Sequence, residues 1–295
     1  YIREVSPDAN TDYSIIEVTD ANCSNTSTGI AAITVNTLPT ATISGTTSIC
    51  VGETADLSVA LTGTSPFSIE FSDGFVANNI TQSPYVRNVS PNANIDYSII
   101  EVTDANCSNT GTGLATITVH QLPTAIISGT TSICIGESAE LQVALTGTSP
   151  YTIEFSDGFV ANNITQSPYV RNVSPELTTE YSVLNVIDVN CSNTGTGLAT
   201  ITVNTLPTAT ISGTSSICIG ETTELSVALT GTSPFSIEFS DGFVANNVSV
   251  SPYIRNVSPN ANIGYSITNI SDVNCSNTGT GLATITVNTL PTATI

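Results

Sequence analysis

The 295-residue sequence has no lysine, no methionine, no tryptophan and one histidine, His120. Its four cations are all arginine, set against 24 aspartates and glutamates, for a net charge of −20. So few cations leave almost nothing to offer a phosphate, which excludes nucleic acid, or an anionic membrane surface, as a partner held by basic contacts. No apolar run approaches the roughly 18 residues that a membrane-spanning helix needs, so no membrane span is expected. The first residues, YIREVSPDAN, lack the basic start and apolar stretch of a secretion signal. The missing methionine, even at position 1, marks the sequence as a processed product or an excerpt from something longer.

What is present is a repeat. The string TATISGTTSIC at Thr40 to Cys50 returns as TAIISGTTSIC at Thr124 to Cys134 and as TATISGTSSIC at Thr208 to Cys218, a period of 84 residues. In this register the chain divides into the C-terminal part of a repeat (1–39), three full repeats (40–123, 124–207 and 208–291) and the start of another (292–295). Both ends fall inside a repeat, which favours an excerpt from a longer, near-identical array. A period of 84 is too long for a solenoid and suits a small domain that folds largely by itself.

The patterning is that of β-structure. Ala55, Leu57, Val59 and Leu61 alternate on one face of an expected strand, and Phe67, Ile69 and Phe71 on the next. Further strands are expected at Ala41 to Ser44, Tyr85 to Val89, Tyr97 to Thr103 and Leu114 to Val119, the last with Ala115, Ile117 and Val119 on one face. Helical periodicity is hard to find. The expected fold is all-β, a tandem array of immunoglobulin-like β-sandwich domains, with about seven short strands each.

Three segments, SICVGETADLSVALTG (Ser48 to Gly63), FSIEFSDG (Phe67 to Gly74) and DYSIIEVTDANCSNTGTG (Asp96 to Gly113), together resemble the immunoglobulin-like and PKD-like repeats of large bacterial surface proteins and adhesins, including those exported by the type IX pathway. Asp73-Gly74 falls where PKD domains carry an aromatic-x-x-Gly-Asp-Gly turn, and Val102-Thr103-Asp104 where they carry Val-Thr-Asp. The tryptophan and first glycine of that turn are absent here. The resemblance implies a secreted spacer, stalk or adhesive array at the cell surface, without catalytic residues.

Seven cysteines occupy two positions of the repeat: Cys23, Cys107, Cys191 and Cys275 on one, Cys50, Cys134 and Cys218 on the other. Two per unit at fixed spacing, in a chain rich in Thr, Ser and Asn, read as an extracellular disulfide framework. Metal binding through these cysteines is a poor competitor, since there is no CxxC pair and only one histidine. The first expectation is one bond within each unit, Cys50 to Cys107, Cys134 to Cys191 and Cys218 to Cys275, leaving Cys23 for a partner beyond this sequence. Each would close a loop of about 57 residues and contribute on the order of 4 kcal/mol. The alternative is pairing across a domain junction or between chains, because a cysteine before the second strand and one in the last hairpin lie toward opposite ends of a simple sandwich.

The acids Glu53, Asp56, Glu70, Asp73, Asp96, Glu101 and Asp104 read as a solvated surface that keeps a long array soluble. Calcium at a domain junction is the one cofactor they could serve, although no D-x-D-x-D-G loop is present. Arg87, with its equivalents Arg3, Arg171 and Arg255, shares strand parity with Tyr85 and Val89. If that face is the core face, Arg87 needs a carboxylate, and Glu70 and Asp73 are the candidates retained in every full unit. The alternatives are a solvent-facing edge position and a salt bridge to another molecule. His120 stands where the other copies have Asn36, Asn204 and Asn288, which argues against a catalytic or metal role. The sequons at Asn79 and Asn88 recur by unit.

Three classes of function follow. The first is a non-enzymatic extracellular structural array, a stalk, adhesin or fibre whose partners are neighbouring repeats and, in a filament, further copies of the chain. The second is a calcium- or glycan-binding adhesive module, for which Phe75 in the SDGFVANN hairpin is the only aromatic platform. The third, an enzyme, would need a catalytic domain elsewhere. Short Thr-Leu-Pro-Thr linkers, in which Pro restricts the preceding residue, are expected to hold neighbouring units at a preferred angle.

Overall fold

A computed structural model describes residues 1–293; of the expected start of a further repeat, Thr294 and Ile295 lie outside the described residues. The chain is all-β and forms two compact units, Tyr1–Leu122 and Pro123–Ile295. The first holds the partial repeat and one full repeat, the second two full repeats. Buried apolar side chains form three separate clusters, one within 41–117, one within 125–201 and one within 209–285.

The partial repeat contributes β1 (Thr11–Ser14), β2 (Val18–Thr19), β3 (Ser24–Asn25) and β4 (Ile30–Ile33), paired only as β1 with β4 and β2 with β3. The first full repeat runs β5 (Thr40–Ser44), β6 (Thr47–Cys50), β7 (Ala55–Thr62), β8 (Phe67–Phe71), β9 (Val76–Ile80), β10 (Tyr85–Val89), β11 (Ile95–Tyr97), β12 (Ile99–Thr103), β13 (Ser108–Asn109) and β14 (Ala115–His120). One face of the sandwich is the antiparallel sheet β10-β7-β5; the other is made by β13-β12-β8-β9 and β11-β14-β6. The opening segment of the repeat therefore serves both faces. β5 pairs antiparallel with β7, and β6, two residues later, pairs parallel with β14. The repeats at 124–207 and 208–291 have the same topology.

The alternating residues form the core. Ala55, Leu57, Val59 and Leu61 from β7 face Phe67, Ile69 and Phe71 from β8, with Ala41, Ile43, Ala115 and Ile117 filling between them, all buried. At about 25 cal/mol per Å² of apolar surface, a cluster of some eighteen such residues is the main favourable contribution to each sandwich. Gly113 is required where it stands. Its φ is +88°, and a Cβ there would lie 2.4 Å from the Ile43 carbonyl oxygen.

The expected strand from Tyr97 to Thr103 is broken. Ser98 separates β11, which pairs with β14, from β12, which pairs with β8 through a bulge between Ile99 and Glu101. The interruption is held by Ser72, whose N–H donates to the Ser98 carbonyl at 2.9 Å and whose Oγ accepts the Ser98 N–H at 3.0 Å.

Candidate functional site

The residues that organise each repeat beyond its core lie in two places, an arginine clip on the sandwich and a cysteine-bearing hairpin against the linker.

The clip begins with strand parity. Arg87 lies between Tyr85 and Val89 on the inward-leaning face of β10, opposite Leu57 of β7. Its Nη1 and Nη2 donate to the two carboxylate oxygens of Asp73 at 2.9 and 2.6 Å. The guanidinium lies near three rings, with its carbon 4.1 Å from the centroid of Phe75, 4.7 Å from Phe71 and 5.5 Å from Tyr97. This combines the two-pronged carboxylate contact that only arginine offers with cation–π attraction on a half-sheltered surface. Arg171 with Asp157 and Arg255 with Asp241 repeat the arrangement, each with its own phenylalanine pair. Glu70, the other candidate, is not the partner. It alternates with the buried Ile69 and Phe71 and so points away from the core, in register with Glu101. The Arg87 hydrogen bonds hold the Asp73 carboxyl below the usual carboxylate range, against the opposing effect of burial. Burial raises the Tyr97 hydroxyl, and the charge of Asp73 adds to that rise. Phe75 is 43% exposed, but the face nearest Arg87 is already engaged.

The hairpin is built by an aspartate. Asp104, only 7% exposed, accepts the N–H groups of Asn106 and Cys107 on Oδ1, both at 2.8 Å, and that of Thr64 on Oδ2 at 2.9 Å. Those donors, Thr64 foremost, lower its pKa. Asp104 is therefore not part of a solvated acidic surface as its composition suggested; it closes an Asx-type turn that presents Cys107. From the same hairpin Asn109 donates to the carbonyl of Pro39 at 2.9 Å, so the loop also grips the linker entering the repeat. Asp272 with Asn274, Cys275 and Thr232, and Asn277 with Pro207, make the same contacts two periods further on. At Asp272 burial works to raise the pKa, and the three N–H donors outweigh it.

The second cysteine position lies at the other end of the sandwich. Cys134 is the last residue of the strand Thr131–Cys134 and stands in register with Asn204, the last residue of its repeat's final strand. Three residues, 205–207, then lead into the next repeat. The chain's exit from one repeat and the hairpin that grips Pro207 in the next thus bring Cys134 and Cys275 together. They form a disulfide with Cα atoms 5.8 Å apart and a sequence separation of 141 residues. The Cys134 sulfur also lies 3.6 Å from the Asn274 carbonyl and the Cys275 sulfur 4.0 Å from that of Asn204. A shallow cleft of about 500 Å³, lined by Glu137, Asn204 and Asp272 among others, surrounds the bond.

This overturns the expected pairing within units. Cys134 does not bond Cys191, nor Cys218 Cys275, because Cys134 and Cys275 are taken by each other. Cys50 does not bond Cys107 either: Cys50 is in a disulfide and Cys107 is free, as are Cys23 and Cys218. Cys191 is likewise disulfide-bonded. The physical reason is the separation of the two positions, one beside the linker leaving a repeat and one beside the linker entering it. Pairing across a junction, the alternative left open by the sequence, describes Cys134–Cys275.

The remaining candidates are placed as follows. His120 stands in register with Cys50, as Asn204 does with Cys134, and its carbonyl accepts the Val51 N–H at 2.9 Å. Glu53 accepts the Cys50 N–H on Oε2 at 2.8 Å. Asn79 is exposed with φ +56°, and Asn88 is exposed and donates to Asp56 at 2.9 Å. Among the described residues no three His, Cys, Asp or Glu side chains group as a metal site would require, and no helix is long and apolar enough to cross a membrane.

The class defined by these sheets is a tandem array of immunoglobulin-like β-sandwiches. No protein-family model matches the chain, and no curated protein does. Solved structures that it resembles include the native conformation of Escherichia coli alpha-2-macroglobulin, at 9% identity over 84% of this chain and 23% of that one, TM-score 0.26. They also include a marsupial T cell receptor, at 12% identity over 77% and 96% of the two chains, TM-score 0.32. A Porphyromonas gingivalis protein of unknown function matches at 10% identity over 55% and 95%, TM-score 0.19.

Proposed function

We propose that the chain is a non-enzymatic extracellular structural array, a cell-surface stalk or fibre in which successive sandwiches are cross-linked at their junctions. The observation that carries this reading is the Cys134–Cys275 disulfide, which joins two repeats beside their linker. A bond of this kind persists in an oxidising compartment. Placed across a three-residue joint, it resists the motion that would otherwise let neighbouring domains pivot. The charge of −20 suits a long solvated assembly that avoids non-specific collapse. The arginine clips and core clusters repeat with the period, which suits units that all do the same mechanical work.

Electron microscopy of the native material tests this reading. Extended beaded threads, with a bead for each repeat and a contour that loosens under dithiothreitol, are the expected result. Isolated globular particles with no extended array would overturn it.

A further inference from the structure

Outside the cysteine hairpin, two N-x-Ser/Thr sequons recur in every full repeat, at Asn79 and Asn88 in the first, and the fold treats them differently. Asn88 is engaged. It lies within β10 in register with Asp56 of β7, and its amide donates to Asp56 Oδ1 at 2.9 Å. The hydroxyl of its sequon, Ser90 Oγ, donates to the Glu53 carbonyl at 2.8 Å, and Ser258 makes the same contact with Glu221 at 2.8 Å. Asn79 stands on β9, the outer strand of its sheet, which pairs with β8 alone. Phe67 is in register with Ile80 and Ile69 with Ala77, so Asn78 and Asn79 together oppose the one residue Ser68, a bulge. Ala77 and Ile80 are buried on either side and both asparagines are exposed. Asn78 accepts the Ser68 hydroxyl at 2.7 Å. Asn79 itself has φ +56°, in the left-handed region that asparagine enters more readily than most residues. Asn163 and Asn247 occupy the same bulge at φ +56° and +57°. Among the described residues no hydrogen bond engages the side chain of Asn79 or of the exposed Thr81.

From this contrast we infer that Asn79, Asn163 and Asn247 are N-glycan acceptors, one in each repeat, and that Asn88, Asn172 and Asn256 are not. The inference rests on the extracellular array reading, because N-glycans are added to chains that leave the cytoplasm. A left-handed turn alone accounts for an asparagine at 79 but not for the hydroxyl two residues on. Ile80, Thr81 and Gln82 of the first repeat become Val248, Ser249 and Val250 in the third, and only the hydroxyl that completes the sequon is kept. The donor class is a polyprenyl pyrophosphate-linked oligosaccharide. Asn79 Nδ2 bonds to the anomeric carbon of its first sugar as that carbon's bond to the pyrophosphate oxygen breaks. Polyprenyl pyrophosphate leaves with the bonding pair, one amide proton passes to solvent, and nothing is oxidised or reduced. A shallow groove of about 400 Å³ beside Asn79, lined by Asn78, Gln82 and Tyr85 among others, offers amides for the first sugar's hydroxyls and a ring edge for its apolar face. The glycan then stands over the open edge of β9, through which near-identical chains could otherwise pair.

The test is peptide mapping of the full chain from its native source. Chymotrypsin, cutting after Phe75 and Tyr85, puts Asn79 and Asn88 on separate peptides. Mass spectrometry should find the peptides of Asn79, Asn163 and Asn247 shifted by the mass of a glycan, localised to the asparagine by electron-transfer fragmentation, with occupancy at least tenfold above that at Asn88, Asn172 and Asn256. Thr81→Ala, expressed in the same host, should empty Asn79 while Asn163 and Asn247 stay occupied, and Thr81→Ser should keep it filled. Because Thr81 is exposed and unbonded, neither change burdens the fold. Unmodified Asn79, Asn163 and Asn247, equal occupancy at Asn88, or a glycan localised to the Thr81 hydroxyl would each overturn the inference. Any of these leaves the array reading to the microscopy, which reads the shape of the chain and not its sugars.

Discussion

Arg87 and Asp73 are joined by two parallel hydrogen bonds across fourteen residues of sequence, and Phe75, two residues past Asp73, closes over the guanidinium. The turn and the strand that follow one another around the edge of the sandwich are thereby fastened to each other. Replacing Arg87 by Ala removes the pair and the ring contact and leaves the Asp73 carboxylate half-sheltered. A loss of about 2–3 kcal/mol from that repeat is expected. Arg87→Lys should recover less than half of it, because an ammonium lacks the planar fork. Urea unfolding monitored by hydrogen exchange within 40–123 checks both.

The clip also predicts an acid limb. Asp73, Asp157 and Asp241 all have folded pKa values below their ordinary value of 3.8, chiefly through the arginine hydrogen bonds. A depressed carboxyl contributes its full stabilisation above the unfolded pKa and loses it as pH falls through the folded one. Stability measured against pH should therefore be level from about pH 5 to 7 and fall below about pH 4. In a triple variant with Arg87, Arg171 and Arg255 changed to Met, that acid limb should flatten. An equally steep fall in the variant would show that other carboxyls govern it.

The first full repeat carries a like-charge pair that the other two lack. Glu70 and Glu101 are cross-strand neighbours, whereas Glu154 faces Asn185 and Glu238 faces Asn269. Directly opposed like charges are destabilising. Glu101→Asn should stabilise that repeat by about 0.5 kcal/mol at low salt, with the gain shrinking as salt rises. Calorimetry at two ionic strengths reads the difference.

Much of this was legible in the sequence. The alternation at Ala55 to Leu61 and Phe67 to Phe71 places those residues on an inner face, since period-2 patterning with bulky apolar residues has few other uses. The same parity puts Arg87 inward and Glu70 outward, so the choice of Asp73 over Glu70 was available from the spacing alone. The short strand Thr47–Cys50 was not. Its partner, β14, lies 70 residues on and runs parallel, and four residues carry no readable period. The disulfide pairing was hidden for a related reason. Spacing relates Cys134 to Cys191 and Cys218 as near neighbours, but only the route of the linker past the hairpin brings it to Cys275. Asp104, grouped by composition with the surface acids, carried its own signal in Asp-x-x-Cys, the spacing at which a side-chain oxygen reaches the N–H groups of the next two or three residues.

That signal makes the aspartate a guard of the bond beside it. Asp272→Ala would leave the N–H groups of Thr232, Asn274 and Cys275 without their acceptor. The hairpin then opens more readily and exposes the Cys275 sulfur. Reduction of Cys134–Cys275 by dithiothreitol should accelerate roughly tenfold, while the melting of the core, which Asp272 does not enter, moves little.

The bond itself should act on the joint more than on the domains. Closing a loop of 141 residues would contribute roughly 5 kcal/mol if both repeats unfolded as one. Each repeat, however, has its own buried cluster, with no core residue shared across 204–208. Either domain can therefore stay folded with the bond absent, and the constraint then falls on residues 205–207. The double variant Cys134→Ser, Cys275→Ser should keep its melting temperature within a few degrees of the parent. Its linker at 205–207 should be cut at least tenfold faster by a protease under native conditions, and NMR relaxation should show the repeats at 124–207 and 208–291 tumbling more independently. A large loss of melting temperature with no change in linker cleavage would show that the disulfide stabilises the sandwiches themselves.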